Sequence, residues 1–219
     1  MSDLTTPRPK WKHHVGHHFS NAEQEFTANK LGFWLFLATE ILLFGGMFVA
    51  YIVFRFMYPE MFMDAHHHLN RTMGAVNTVV LICSSFSMAL AVRASQTNQV
   101  RRLQALLAVT LVFAFMFLVI KYFEYSEKFA HGYLPGLWYQ PHGNDPVNGN
   151  LFFGLYFMMT GLHGVHVLAG IVAITWLLVR ATKRHFSSAW YTPVELVGMY
   201  WHLVDLIWIY LFPLFYLIG

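Results

Sequence analysis

The chain has 219 residues, of which 57% are apolar or aromatic and only 11% are charged, whereas a soluble domain carries about 25% charge. That balance excludes a disordered chain and a coiled coil and fits a protein dissolved in lipid. The formal charge of +3, with 13 histidines counted neutral, gives nucleic-acid binding no support, and a single cysteine, Cys83, leaves no intramolecular disulfide.

Residues 1–30 read as a polar, His-rich cytoplasmic tail. His13, His14, His17 and His18 precede the first apolar run, and no signal-peptide core is present. Five long apolar stretches follow, at 31–54, 73–92, 103–120, 151–179 and 196–217. At about 1.5 Å per residue each is long enough to cross a bilayer. Backbone groups must pair internally in hydrocarbon, and none of the stretches alternates polar with apolar residues as a barrel strand does. The predicted fold is therefore an all-α integral membrane bundle of five transmembrane helices.

His66, His67 and His68 fall in the first loop; like the tail histidines, they fit either metal binding or a solvated segment. The third span is expected to continue into water as helix, because Lys121, Glu124 and Lys128 stand at i, i+3 and i+4 spacings that let opposite charges meet. Leu134-Pro135-Gly136 is expected to stop it. Ten Lys and Arg lie on the side of the N-terminus, the second loop and the fourth loop, against Arg55, Arg71, Lys121 and Lys128 on the other. That bias predicts a cytoplasmic N-terminus and a C-terminus outside.

Five ionisable side chains sit well inside the spans: Glu40, His163, His166, His202 and Asp205. Burying an acid at a helix centre costs about 2.5–3.5 kcal/mol on insertion scales, so each needs a partner, a proton or a wet cavity. Glu40 and Asp205 are each tenth in their spans, which puts both about 14 Å deep. His166 is fourteenth from the cytoplasmic end of the fourth span. These groups define a layer near mid-membrane. Thr160, His163 and His166 share one side of the fourth helix, and Gly198, His202 and Asp205 share a face of the fifth.

Three readings of this polar network stand open. Hydrogen bonds between helices would each contribute about 0.6–2 kcal/mol. A proton relay would run through Glu40, the histidines and Asp205. Metal ligation would use His163 and His166 with His202; a di-haem bis-histidine site needs four ligands, and the spans hold three histidines. Glu40 is the most informative of the five. Its helical neighbours Phe36, Leu37, Leu43 and Phe44 are apolar, which favours a protonated or hydrogen-bonded carboxyl, open to a hydrophobic carbodiimide.

Four segments together carry a family resemblance. They are Leu31-Gly32-Phe33-Trp34 running into Ala38-Thr39-Glu40-Ile41-Leu42-Leu43-Phe44; Lys121-Tyr122-Phe123-Glu124-Tyr125; Thr160-Gly161-Leu162-His163-Gly164-Val165-His166-Val167; and Tyr200-Trp201-His202-Leu203-Val204-Asp205 through Trp208. In this order they resemble subunit III of the haem-copper cytochrome c oxidases. The resemblance implies a bacterial inner-membrane subunit with no redox centre or metal of its own, packed against the catalytic subunit I that holds haem and copper, and against subunit II. Its role would be to support oxygen reduction by cytochrome c and the coupled proton translocation.

The family's buried glutamate falls at Glu40, and similar proteins bind phospholipid in a cleft. This chain starts at the third of the seven helices of longer members, so such a cleft needs a helix pair from elsewhere. The competing expectations are the equivalent subunit of a quinol oxidase, a stand-alone proton-coupled carrier, and a lipid-organising assembly protein.

Overall fold

The computed structural model describes residues 19–136, 139–140, 149–188 and 190–218. Six α-helices and a 3-10 turn account for the described architecture: α1 (Ala22–Met57), α2 (Pro59–Ala65), the turn His66–His68, α3 (Arg71–Gln96), α4 (Val100–Ala130), α5 (Gly149–Thr182) and α6 (Thr192–Tyr216). All but α2 are long and apolar enough to cross a membrane.

Local chemistry sets the ends. Helix α1 begins at Ala22, inside the stretch read as tail, because Asn21 caps it by accepting from the Gln24 amide at 2.8 Å. Asn70 caps α3 by accepting from the amides of Thr72 and Met73. Pro193 occupies the first turn of α6, where its missing N–H costs nothing. Helix α4 ends at Ala130, before the Leu134-Pro135-Gly136 turn, and Gly132 supplies the left-handed backbone that follows.

Helices α3, α4, α5 and α6 form a ring in that order, each packed on the next, with α6 closing onto α3. Helix α1 lies outside the ring against α6 and α5. Antiparallel register between α3 and α6 is fixed by three polar contacts: Trp208 Nε1 to Thr78 Oγ1 at 3.1 Å, Ser85 Oγ with His202 Nδ1 at 2.6 Å, and Trp201 Nε1 to Ser84 Oγ at 3.0 Å. Trp201 is thus fully buried. Its indole needs the bare backbone of Gly170 on α5, where a Cβ would sit 2.5 Å from the ring. Between α3 and α4, Ser87 and Thr110 hydroxyls meet at 2.7 Å.

Helix α1 touches the ring along one stripe of i, i+3 and i+4 positions. Lys30 pairs with Glu195 at 2.8 Å, Leu37 and Phe44 are buried, and the Tyr51 hydroxyl donates to the Leu214 carbonyl. That carbonyl belongs to the last turn of α6, which has no helical N–H to satisfy it. The opposite stripe, with Leu35, Leu42, Val49 and Phe56, is exposed.

Candidate functional site

The mid-membrane residues do not form one cluster. They divide into a pair between α1 and α5, a second group between α3 and α6, and a solitary histidine in the ring.

Glu40 Oε2 lies 2.7 Å from His166 Nε2, across the α1–α5 contact. The other ring nitrogen, Nδ1, is 2.8 Å from the Leu162 carbonyl, and a carbonyl only accepts, so Nδ1 carries a hydrogen. One proton is then shared between Nε2 and Oε2. The couple is either imidazole with carboxylic acid or imidazolium with carboxylate, and both are neutral overall. The edge of Phe44 meets the imidazole at 5.2 Å, and the Tyr200 hydroxyl donates to the His166 carbonyl at 3.1 Å. Both side chains keep a small exposed fraction, 16% for Glu40 and 14% for His166.

His202 engages Ser85. Asp205, one turn further along α6, is buried, and neither of its oxygens has a hydrogen-bond partner among the described residues. The Ser85 hydroxyl stands beside it without reaching bonding geometry. His163 points away from His166 into the ring, against Phe117 at 5.6 Å and Trp208 at 5.4 Å. His163, His166 and His202 therefore face different neighbours. Among the described residues no three His, Cys, Asp or Glu side chains come together to hold a metal.

The charges of α4 correct one expectation. The helix does continue beyond residue 120, yet Lys121, Glu124 and Lys128 are buried rather than in water. The reason is a set of phenols from distant parts of the chain. Lys121 Nζ donates to Glu124 Oε2 at 2.9 Å, to Tyr156 Oη at 3.0 Å and to Tyr216 Oη at 3.1 Å. Tyr156 and Tyr216 in turn donate to Glu124 Oε1. Three ammonium hydrogens meet three acceptors and two phenol hydrogens meet one carboxylate oxygen, so every donor is used. Trp208 covers the ammonium at 4.9 Å, a cation–π contact. Lys128 reaches the His68 carbonyl instead.

Sequence reasoning missed Tyr156 and Tyr216, which carry no signal except their place in apolar runs. It also missed Asn77, whose signal was plain: an amide inside an apolar span.

In the first loop, His66 Nδ1 donates to the Met63 carbonyl at 2.6 Å, and Nε2 faces the Arg71 guanidinium at 2.9 Å. Arginine only donates, so His66 is a neutral acceptor. Burial holds its pKa below the usual 6.5. The tail histidines His13, His14, His17 and His18 lie outside the described residues.

This geometry defines a polytopic helical membrane protein whose interior is organised by buried titratable groups. A family model for cytochrome c oxidase subunit III matches residues 12–219. The chain is 32% identical over 188 residues to cytochrome c oxidase subunit 3 of Synechocystis sp., covering 85% of this chain and 74% of that one. It is 33% identical over 189 residues to the protein of the same name from Thermostichus vulcanus, covering 86% of each. It is also 31% identical over 194 residues to a haem-copper oxidase subunit I+III of Aeropyrum pernix, covering 84% of this chain and 22% of that protein.

The chain belongs to the cytochrome c oxidase subunit III family, and is thus a multi-pass inner-membrane subunit of a haem-copper oxidase. A place in the respiratory chain and in proton translocation follows from the family.

Proposed function

We propose that this subunit carries no redox chemistry itself and sustains cytochrome c oxidation and proton translocation in partner subunits I and II, where haem and copper reside. The observation that carries the reading is the Glu40–His166 couple, 2.7 Å across the contact between α1 and the ring. A shared proton at mid-membrane, partly exposed on the outside of the ring, suits a group that stores a proton beside a partner rather than one sealed in a core. The fused subunit I+III of Aeropyrum pernix supports pairing with subunit I, since two segments joined in one chain fold side by side. The N-terminus is assigned to the cytoplasm by the charge bias.

Bound phospholipid belongs to the same reading. A groove of about 380 Å³ between α4 and α5, lined by Leu118, Tyr122, Phe129, Gly161 and Leu168, has the apolar walls an acyl chain requires.

The test is Glu40→Gln in the intact oxidase. A glutamine amide still donates to Nε2 but has no proton to release. Initial oxygen consumption should stay near wild type, while the number of turnovers before inactivation and the protons moved per electron fall at least twofold. Unchanged values in both over thousands of turnovers would reduce Glu40 to a helix-packing role.

A further inference from the structure

The ring interior holds three polar side chains that neither the Glu40–His166 couple nor the Lys121 network uses. Asn77 and His163 are fully buried, and Asp205 is 2% exposed. Six of their nitrogen and oxygen atoms, two per residue, have no hydrogen-bond partner among the described residues. Leaving six such atoms dry would cost as much as a typical domain's whole net stability, so the bundle has to satisfy them.

Packing brings the three toward one place. His163 and Phe117 both lie against the Trp208 indole, at 5.4 and 4.9 Å. Trp208 bonds to Thr78, the residue after Asn77. Ser84 of α3 faces Thr110 of α4; one heptad back along α3 is Asn77, and one heptad forward along antiparallel α4 is Phe117, which touches His163. Asp205 precedes Trp208 by one turn of α6, about 5 Å along the axis. Asn77, His163 and Asp205 thus lie buried inside the ring on three helices, at the level of Trp208 or about one turn from it.

We infer that the centre of the α3–α6 ring binds a small cluster of ordered water molecules, held by Asn77, His163 and Asp205 around Trp208. The donor set selects water over a cation. An amide and an imidazole each offer both a donor and an acceptor, and water matches both, while among the described residues no three His, Cys, Asp or Glu side chains come together to hold a metal ion. A buried water makes about three hydrogen bonds, so six orphan atoms call for about two such molecules. The cluster extends the polar interior from the Lys121 network, whose ammonium shares the Trp208 indole with His163, toward Asp205 and the Ser85–His202 bond. It is a hydrated, protonatable site separate from the Glu40–His166 couple.

Cryo-electron microscopy of the intact oxidase, at a resolution that shows ordered water, tests the site directly. Density within about 3 Å of the Asn77, His163 and Asp205 polar atoms is expected. Side chains sealed against apolar neighbours with no such density would overturn the proposal.

Two variants, Asn77→Leu and His163→Phe, read the same question by sign. In a hydrated chamber each strands a water and lowers the Tm of the complex by about 3 °C or more. In a dry chamber each removes an orphan polar group and leaves Tm unchanged or higher, which contradicts the inference. If one variant does not assemble, the other variant and the wild-type map still decide. Neither readout depends on Glu40.

Discussion

Removing one charge from the Lys121–Glu124 network gives the sharpest test of how the end of the ring at the C-terminal half of α4 holds together. At the observed 2.9 Å and an effective dielectric of about 20, the pair attracts by about 6 kcal/mol. Desolvating the two ions cancels much of that, so the pair adds little net stability, yet either ion alone is stranded. Glu124→Leu leaves an ammonium among two phenols and an indole. Lys121→Met leaves a carboxylate with two phenol donors. Each single change should cost about 3–5 kcal/mol.

The double variant Lys121→Met with Glu124→Leu removes both ions and should cost less than either single change, a coupling energy of at least about 3 kcal/mol. The assay is the thermal loss of the subunit from the purified oxidase, followed across the four-member cycle. Singles within about 0.5 kcal/mol of wild type, or a double variant equal to the sum of the singles, would show that the network is solvated and refute the reasoning.

Three further outcomes follow from the packing. Gly170→Ala places a Cβ 2.5 Å from the buried Trp201 ring and should destabilise the complex by about 1–3 kcal/mol, seen as a lower Tm, whereas Gly164→Ala, with open space at its Cβ, should be near neutral. Ser87→Ala removes the bond to Thr110 and should cost about 1 kcal/mol, measured the same way. The segment holding His66 should loosen in acid. Because burial lowers its folded pKa below 6.5, its contribution is complete above pH 6.5 and is lost as pH falls from there toward the folded value. Hydrogen exchange at residues 62–70 should therefore speed up below pH 6.5, and His66→Gln should flatten that dependence.

The five spans were legible because length and unbroken apolarity are properties of contiguous residues. That Glu40 and His166 share a level was legible too, by counting along each helix. Their contact was not, since it depends on which face α1 turns toward α5, and the exposed apolar stripe of α1 looks the same in sequence as the buried one. Lys121 and Glu124 show how local spacing misleads. The i, i+3 pair does form, but the phenols that allow its burial come from 32 and 92 residues beyond Glu124, and nothing near it in sequence announces them. His163 and His166, three apart in one motif, were read as sharing one broad side; in the fold one faces the ring interior and the other α1, because residues at i and i+3 diverge by about 60° around the helix, enough to meet different neighbours.

The closed arithmetic of these buried groups has an electrical consequence. Lys121 with Glu124 carries no net charge, and the shared proton leaves Glu40 with His166 neutral as well, so a membrane voltage has no net handle on either couple. The subunit can sit across the full potential that the oxidase generates without these two couples being pushed toward either face.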